Sequence, residues 1–472
     1  MGHYKLIIDG EKVQVDQSFP VINPATEEVV AECPLATEAD LNRAVEAAKK
    51  AFKSWSQTTW PERQDALMKV ADILEQHSEE LAKILTEEQG KPMAVMGGSL
   101  FEMGGAVAWA RATASMDLPV EVLQDDEHAY IELHRKPLGV IGSITPWNYP
   151  VMIAIWHIVP AILTGNTVVL KPSPMTPLAS IRMVELVNQV LPAGVLNIVT
   201  DQDDLGPLMS AHPDINKIVF TGSSPTGKHI MRSAASNLKR LTLELGGNDA
   251  AIVLPDVDPA EVAPKLFGMA FINSGQVCAA IKRLYIHEDV YGAITNQMAA
   301  MASAVTVGNG LEEGVDFGPV QNQKQFELIC DLAKSAKADG GKFLSGGEPL
   351  EGKGYFFPLT IVAGLNNGSR LVDEEPFGPI LPVIKFKDVE EVIERANDNP
   401  NGLGGSVWSN DLELAANIAS RMECGTVWIN GHAMVQPNMP FGGVKDSGIG
   451  VGFGIEGLKE FTSIQAISIA KA

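Results

Sequence analysis

The chain has 472 residues, of which 45% are hydrophobic and 20% are charged, and its formal net charge is −22. This length predicts two or three domains, and the composition predicts a soluble globular protein with a large core. The acidic charge, without any basic cluster, argues against binding to nucleic acid or anionic membranes, because phosphate contacts need concentrated Lys and Arg.

The sequence also bears on the compartment. No apolar run is long enough to cross a bilayer, and the start, MGHYKLIIDGEKV, lacks the apolar segment and cleavage site of a signal peptide. The four cysteines show no CxxC spacing, which predicts free thiols rather than a disulfide framework or a metal site. We therefore expect a cytoplasmic protein without a metal centre.

The first quarter of the chain changes from strands to helices. Residues 1–35 contain short apolar runs and turn residues, which predict strands. Three helices are expected between residues 38 and 89, because apolar residues recur there at three- and four-residue spacing. Pro61 suits the start of the second helix and Ser78 the N-cap of the third. A fourth helix, rich in Gly and Ala, is expected within 94–115.

The remainder is typical of an α/β protein. Residues 116–135 are polar and alternating, which predicts a hairpin that stands away from the main core. From residue 139, short apolar strands alternate with helical segments, the pattern of a parallel sheet. A second series of the same kind follows Gly247. The final EFTSIQAISIA alternates like an edge strand and could pair with another subunit.

Residues 241–280 carry the most informative pair of side chains. Glu244 ends the apolar run LTLEL, and Cys278 lies in the small-residue loop GQVCAA. A thiol and a carboxylate that meet in one cleft would suit covalent catalysis with an acid/base helper.

Seven short motifs occur in a fixed order along the chain. They are TPWNYP at 145–150, KPSPMTP at 171–177, FTGSSPTG at 220–227, ELGGN at 244–248, GQVC at 275–278, EEPFGP at 374–379 and PFGGVKDSG at 440–448. This series resembles the aldehyde dehydrogenase superfamily, and the resemblance covers nearly the whole chain.

The resemblance implies an α/β fold of three parts. A Rossmann-like cofactor-binding domain would comprise residues 1–115 and 136–246, and an α/β catalytic domain residues 247–443. A small β extension, residues 116–135 and 444–472, would join subunits into a homodimer or a homotetramer.

The resemblance also assigns the catalytic roles. Cys278 matches the family nucleophile, whose thiolate adds to an aldehyde; the resulting alkoxide expels hydride to a nicotinamide and leaves a thioester. Asn148 matches the oxyanion donor, together with the backbone N–H of the nucleophile. Glu244 matches the general base that activates water to cleave the thioester. Taken singly, these residues have ordinary explanations as a core thiol, a turn residue and a solvated carboxylate.

The expected cofactor site differs from the common GxGxxG fingerprint. The turn FTGSSPTG begins a helix at which a pyrophosphate can meet backbone N–H groups and a hydroxyl. The residues assigned to the cofactor are Ile144, Trp147, Lys171, Ser173, Gly222, Ser223, Gly227, Leu245, Gly246, Glu375 and Phe377. Pro174 stands where many NAD-preferring members carry an acidic residue, so charge repulsion of a 2′-phosphate is lost at that position. We expect NAD as the cofactor, with NADP tolerated and the preference between the two open.

The substrate and the proton path are less defined. The expected tunnel residues are mostly apolar and include no cation, which favours an uncharged aliphatic or aromatic aldehyde; they are Tyr149, Ile153, Trp156, Val277, Ala279, Met434 and Phe441. His157 and Gly452 stand where the family often has a Lys and a Glu that assist proton movement. His157 is equally compatible with proton transfer and with a structural role.

Three alternatives remain at this point. A coenzyme A-acylating dehydrogenase would use the same Cys278, but by family analogy it would lack Glu244. A relative that kept the fold without the activity would have no need of Cys278, Asn148 and Glu244 together. A cysteine hydrolase would need a partnering His, and no motif supplies one.

Overall fold

The computed structural model describes residues 4–471, so residues 1–3 and 472, which belong to the expected first strand region and extension, lie outside the described residues. The first quarter has the expected order of strands, then helices. Its elements are β1 (Leu6–Ile8), β2 (Glu11–Val13), β3 (Ser18–Ile22), β4 (Val29–Pro34), α1 (Glu38–Trp55), α2 (Trp60–Gln76), α3 (Ser78–Gln89) and α4 (Ser99–Ala114).

The predicted start of α2 is confirmed, since Pro61 lies in its first turn behind the capping box of Thr59. The predicted N-cap at Ser78 is wrong. His77 holds that position, and the Ser78 hydroxyl donates instead to the Leu74 carbonyl at 2.8 Å. A single residue separates α2 from α3, which leaves no extended segment in which Ser78 could cap.

The hairpin and the first α/β series follow in the predicted order. They comprise β5 (Glu121–Asp125), β6 (Ala129–Pro137), β7 (Val140–Ile144), α5 (Pro150–Leu163), β8 (Thr167–Lys171), α6 (Leu178–Val187), β9 (Leu196–Ile198), α7 (Leu205–Ala211), β10 (Lys217–Thr221), α8 (Ser224–Ala234) and β11 (Arg240–Glu244). Helix α7 was not expected, because a short helix that contains Gly and Pro has almost no periodic signal.

The second series and the C-terminal region complete the chain. They comprise β12 (Ala250–Val253), α9 (Pro259–Phe271), β13 (Arg283–His287), α10 (Glu288–Ala304), α11 (Gln323–Ala338), β14 (Lys342–Ser345), β15 (Thr360–Ala363), α12 (Arg370–Asp373), β16 (Ile380–Phe386), α13 (Val389–Asn397), β17 (Asn401–Gly402), β18 (Gly404–Trp408), α14 (Leu412–Ala419), β19 (Thr426–Ile429), β20 (Val444–Lys445), β21 (Gly448–Ile449), α15 (Gly454–Lys459) and β22 (Thr462–Ala470).

Two large sheets organise these elements, as the α/β prediction requires. The first has the order β2-β1-β9-β8-β7-β10-β11-β21 and is parallel from β9 to β11; the second has the order β14-β15-β16-β13-β12-β18-β19 and is parallel from β15 to β19. Separate apolar clusters pack on both faces of each sheet. The carboxyl ends of parallel strands share one edge of a sheet, where ligands commonly bind.

The strands within the expected β extension belong to more than one sheet. Strand β22 pairs with β6 along its whole length and makes a three-stranded sheet with the hairpin, as expected for residues 116–135 and the C-terminal strand. Residues 444–459 do not belong to it. Strand β21 adds to β11 of the first sheet, and β20 pairs with β17. Backbone hydrogen bonds to β11 and β17 therefore fix this segment.

Within the described residues, no helix combines the length and apolar character required for a membrane span.

Candidate active site

The loop that carries Cys278 follows a left-handed turn. Asn273, Ser274 and Gly275 all have positive φ, between 50° and 72°. A Cβ at Gly275 would lie 2.2 Å from the Gly378 carbonyl oxygen, so only glycine fits there. Left-handed residues other than glycine cost free energy and cluster at functional sites. The turn therefore holds the half-buried Cys278 in a defined position.

Asn148 lies beside the Cys278 loop. Its Nδ2 donates to the Gln276 carbonyl oxygen at 2.9 Å, and its buried Oδ1 has no partner among the described residues. Within the same described part of the chain, the backbone N–H of Cys278 has no acceptor either. The second Nδ2 hydrogen of Asn148 and the free backbone N–H of Cys278 are donors of the kind that a tetrahedral oxyanion needs.

A buried ion pair fixes the backbone of Asn148. The Lys91 ammonium lies 2.6 Å from Glu102 and donates to the Asn148 carbonyl oxygen at 2.8 Å. Glu102 in turn accepts from the backbone N–H groups of Val151 and Met152, in the first turn of α5. Sequence reasoning missed both charged residues, because they precede the TPWNYP motif by more than 40 positions and have no spacing that links them to it.

Glu244 and Cys278 line the same cavity. Glu244 ends β11, and both of its carboxylate oxygens are buried without a hydrogen-bond partner among the described residues. Burial raises the pKa of Glu244 well above its ordinary value, and the nearby charge of Glu460 adds to the rise. A carboxyl with a raised pKa is suited to exchanging protons near neutral pH.

Lys282, whose positive charge acts on the thiol, was also missed. Burial raises the pKa of Cys278 to about 12, and the charge of Lys282 opposes that rise. Its ammonium donates to the carbonyl oxygens of Cys278 and Gly247 and to Glu375 Oε1, the last two both at 2.7 Å. The available signal was its place four residues after Cys278, in CAAIK.

The ELGGN motif gives the two halves of the site close contact. A Cβ at Gly246 would lie 2.2 Å from Glu375 Oε2. Only glycine therefore lets the Glu375 carboxylate approach the backbone at this position. The backbone N–H of Gly247 donates to Glu375 Oε1 at 3.1 Å. Ser447, from PFGGVKDSG, donates to the Gly246 carbonyl oxygen at 2.6 Å.

The residues assigned to the cofactor meet at the carboxyl edge of the first sheet. Ile144 and Lys171 are register partners at the ends of β7 and β8. Trp147 and Phe377 meet edge to face, with ring centroids 5.3 Å apart. Ser173 and Leu245 follow β8 and β11, and Gly227 lies in α8.

The turn at Gly222 and Ser223 fits a pyrophosphate. Ser223 is exposed and caps α8, and the backbone N–H groups of Ser223 and Ser224 have no acceptor among the described residues. Free N–H groups at a helix N-terminus form an anion site. The residues present therefore fit a dinucleotide.

Lys171 has acidic partners that the sequence analysis did not anticipate. Its ammonium, almost fully buried, lies 2.5 Å from Asp201 Oδ1 and 3.7 Å from the exposed Asp203. Asp201 also accepts from the backbone N–H of Leu205 and so fixes the start of α7. The carboxylate missing at Pro174 is thus replaced, beside the same lysine, by acidic residues of the loop after β9.

The cavity that holds Cys278 and Glu244 is apolar and aromatic. Of the expected tunnel residues, Ile153, Trp156 and Phe441 line it. Two aromatic residues that were not expected, Phe453 and Phe461, also line it. Phe453 contacts the rings of Trp156 and Phe441, and Trp109, outside the lining, packs against Trp156 and Phe453.

The other expected tunnel residues lie elsewhere. Tyr149 is buried beneath Lys91 and donates to the Gly97 carbonyl oxygen. Val277 packs against an apolar cluster of the first sheet. Ala279 is buried beside Phe441, whereas Met434 is 56% exposed.

His157 is held on both sides. Its Nδ1 lies 3.0 Å from Ser143 Oγ and its Nε2 3.0 Å from Thr221 Oγ1. Burial lowers the pKa of His157 to about 3, so the ring is neutral at physiological pH. Gly452 borders the cavity, and its backbone N–H donates to the Phe441 carbonyl oxygen at 2.7 Å.

Comparisons with known proteins show a family to which the chain is similar. A model of the aldehyde dehydrogenase family matches residues 11–467. The chain is 38% identical to the phenylacetaldehyde dehydrogenase of Pseudomonas fluorescens, over 99% of this chain and 96% of that protein. It is similar to the NAD+ complex of an aldehyde dehydrogenase from Bacillus cereus, with a TM-score of 0.96, 35% identity and coverage of 99% and 97%. A betaine aldehyde dehydrogenase from Staphylococcus aureus in complex with NAD+ gives a TM-score of 0.95, 33% identity and coverage of 99% and 95%.

Proposed function

The chain belongs to the aldehyde dehydrogenase family, and from this premise we propose that it oxidises an aldehyde to the carboxylic acid through a covalent intermediate on Cys278. The observation that carries the proposal is a single cavity lined by Cys278 and Glu244, next to the Asn148 amide. A nucleophile, an oxyanion donor and a base are the three groups that this reaction requires.

In the first step the Cys278 thiolate adds to the aldehyde carbon and the carbonyl oxygen becomes an alkoxide. The Asn148 side chain and the backbone N–H of Cys278 stabilise that negative charge. Lys282 favours the thiolate, since its charge opposes the effect of burial on the pKa of Cys278. The buried Lys91–Glu102 pair keeps the Asn148 backbone in place.

We propose NAD as the cofactor. Gly222, Ser223 and the first turn of α8 would hold the pyrophosphate, Lys171 the adenosine ribose, and Glu375 with Phe377 the nicotinamide half. When bound, NAD accepts the hydride that leaves the substrate carbon, which turns the adduct on Cys278 into a thioester. Trp147 and Phe377, whose rings meet edge to face, would shield the nicotinamide half from water.

In the second step Glu244 takes a proton from a water molecule whose oxygen attacks the thioester carbon. The carbon–sulfur bond breaks, the acid is released and the Cys278 thiolate is restored. A buried carboxylate aimed into the cavity supports hydrolysis over transfer of the acyl group to coenzyme A.

We propose an uncharged aliphatic or aromatic aldehyde as the substrate. Trp156, Phe441 and Phe453 give the cavity an apolar, aromatic wall, and among described residues no Arg or Lys lines it. Such a wall favours a substrate with an apolar body over one that carries a carboxylate. The name of the Pseudomonas fluorescens relative, a phenylacetaldehyde dehydrogenase, supports an aryl substrate.

We further propose a homodimer or a homotetramer in the cytoplasm. Strand β22 is the outer strand of its sheet and exposes Ile464 and Ile469, at 60% and 55%. An exposed apolar edge strand is ready to pair with another copy. The four free cysteines support a reducing compartment. Light scattering coupled to size exclusion tests the assembly, and a monomer would contradict it.

Two variants test the chemistry. The protein is mixed with a panel of aldehydes and NAD, and reduced nicotinamide is followed by absorbance. Cys278→Ala should abolish turnover, whereas Cys330→Ala, which removes a thiol from α11 outside the cavity, should keep it. Glu244→Gln should give a burst of reduced nicotinamide and then stall at the thioester. Steady turnover in Glu244→Gln would refute its assignment as the base, and dependence on added coenzyme A would favour the acylating alternative.

A further inference from the structure

Glu244 needs a route by which its proton can leave. Its carboxylate is buried, neither oxygen makes a hydrogen bond to a described residue, and only the nearby backbone N–H of Gly452 opposes the effect of burial on its pKa. Each thioester hydrolysis leaves one proton on this group, and the base must lose that proton before the next cycle. The apolar side chains of the cavity cannot carry it.

A polar side chain lies on the same strand, on the same side. Thr242 precedes Glu244 by two residues in β11, so the two side chains point to one face of the sheet, about 7 Å apart along the strand. Both line the cavity. A water molecule between them would bridge that separation.

Thr242 is linked to a lysine and to a second carboxylate. Its Oγ1 accepts from Lys217 Nζ at 2.6 Å and donates to Glu460 Oε2 at 3.1 Å. The Lys217 ammonium lies 3.5 Å from the same Glu460 oxygen and faces the ring of Phe461. Thr242 therefore has a donor on one side and an acceptor on the other.

This chain of contacts reaches solvent at one end only. Lys217 is fully buried, whereas the Glu460 side chain is 31% exposed at the C-terminal end of α15. Gly450 leaves room for the contact, because a Cβ there would lie 3.1 Å from both Thr242 Oγ1 and Glu460 Oε2. Its φ of +78° is also a conformation that glycine adopts readily.

A buried lysine is costly unless it is paired, and here its partners are Glu460 and Thr242. Burial lowers the pKa of Lys217 to about 8, against the raising effect of Glu460 and with a further lowering from Arg240. Below that pKa Lys217 is charged and donates to Thr242, which turns the hydroxyl hydrogen of Thr242 towards Glu460. Lys217 thus orients the threonine.

We propose that Thr242 and Glu460, oriented by Lys217, form the proton exit of Glu244. The proton passes from the Glu244 carboxyl to a cavity water and then to Thr242 Oγ1, while the Thr242 hydroxyl proton moves to the Glu460 carboxylate and from there to solvent. One proton enters and one leaves at each group, and no electron is transferred. These three are positioning and relay residues that act through Glu244, and the inference rests on the proposed function of Glu244.

His157, the other titratable group that faces this cavity, offers no such route. Both of its ring nitrogens are engaged by hydroxyls, and one of these, Ser143, is fully buried. The proximity of Lys217 adds to the effect of burial in keeping His157 neutral. His157 therefore has a structural role in this arrangement.

The test follows hydrolysis of the acyl-enzyme directly and needs no cofactor. The full-length protein is treated with 4-nitrophenyl acetate, whose acetyl group passes to the Cys278 sulfur as 4-nitrophenolate leaves. Excess ester is then removed, and intact-protein mass spectrometry follows loss of the acetyl group. Glu460→Gln and Thr242→Val should slow this loss by about tenfold, less than removal of Glu244 itself, while Thr242→Ser keeps the wild-type rate. Glu456→Gln, an equal charge change at an exposed site on α15, is the control.

A diffusible base separates a proton path from a merely structural effect. Imidazole in the buffer should restore the rate of Glu460→Gln and leave the wild type unchanged, because it replaces the lost acceptor. Wild-type hydrolysis rates in Glu460→Gln and Thr242→Val, equal losses in Glu456→Gln, or failure of imidazole to rescue would overturn the proposal. Absence of any acetyl group on Cys278 in the wild type would instead contradict the proposed function.

Discussion

The Lys91 ammonium and the Glu102 carboxylate lie 2.6 Å apart with no solvent exposure on either side chain. The pair joins the Asn148 carbonyl oxygen to the backbone N–H groups at the start of α5. The pair therefore holds Asn148, the proposed oxyanion donor, in a fixed position relative to helix α5. Its contribution to the stability of the fold and its contribution to the placement of Asn148 can be separated by mutation.

Removal of one partner should destabilise the protein strongly. Lys91→Met leaves an unpaired buried carboxylate, for which we expect a loss of about 3–5 kcal/mol in the free energy of unfolding. The double variant Lys91→Met/Glu102→Leu should recover part of that stability but not the wild-type kcat, because Asn148 stays without its anchor. Urea unfolding and steady-state rates measure the two effects, and full recovery of kcat in the double variant would show that the pair only stabilises the fold.

The reactivity of the ligand-free thiol should depend steeply on pH. Since burial raises the pKa of Cys278 to about 12, alkylation by iodoacetamide should rise about tenfold per pH unit through neutral and mildly alkaline pH. Lys282→Met removes the opposing charge and should slow alkylation at a given pH, whereas Lys385→Met, at an exposed position on β16, should not. Equal rates in Lys282→Met and wild type would exclude a role for Lys282 in tuning the thiol.

As the pH is lowered, acyl-enzyme hydrolysis should be lost at a higher pH than if the base had the ordinary pKa of a carboxyl group. The base acts only when deprotonated, so hydrolysis falls as pH drops below the folded pKa of Glu244. Because burial raises that pKa well above 4.5, the loss should set in correspondingly closer to neutral pH. Mass spectrometry of acetylated enzyme across a pH series gives the curve. A midpoint at or below 4.5 would mean that the carboxyl is not in the buried environment described above.

Cofactor choice should depend on the loop after β9. Asp203 lies 3.7 Å from the Lys171 ammonium, where a 2′-phosphate would meet like charge. Asp203→Asn should therefore strengthen NADP binding relative to NAD by about tenfold, or about 1.4 kcal/mol. Isothermal titration with both nucleotides measures the ratio, and Asp204→Asn, with the same charge change at the next residue, is the matched control. An unchanged ratio in Asp203→Asn would assign discrimination to another part of the site.

Phe453 should determine the preference for aryl over small aldehydes. Its ring contacts those of Trp156 and Phe441 in the cavity wall, and it has a left-handed backbone with φ of 64°. Phe453→Ala should raise KM for an aryl aldehyde by several-fold, up to about tenfold, and change KM for acetaldehyde much less, since aromatic pairs contribute about 0.5–1.5 kcal/mol beyond buried area. Parallel losses for both aldehydes would indicate a general disturbance of the cavity.

The sequence was sufficient for the parts that depend on local periodicity and on short motifs. Strands buried on both faces, such as β8 and β12, are continuous apolar runs, and α1 shows a clear helical spacing. Cys278, Glu244 and Asn148 could be proposed as site residues because each lies in a short motif of the series that resembles the aldehyde dehydrogenase superfamily. Residues that act at a distance had no such signal.

Lys91, Lys217 and Glu460 are examples of residues whose positions could not be predicted from the sequence. They are charged residues in segments where a solvated side chain is the usual outcome. Only the tertiary fold shows that two of them are fully buried and that all three lie against the cavity or its anchor. Phe453 was missed for another reason: its segment, GVGFGIEGL, has no periodicity, and the left-handed backbone that turns the ring inwards cannot be inferred from residue type.

The order in which the cavity wall is encoded has a consequence for synthesis on the ribosome. Cys278, Glu244 and Asn148 all emerge before residue 280, but Phe441, Gly452 and Phe453 and the outer strand β21 come from the last 32 residues. Until those residues leave the ribosomal tunnel, β11 has a free edge and the nucleophile has no closed chamber around it. A chain that stops before residue 441 would therefore carry the proposed reactive groups without the residues that enclose them.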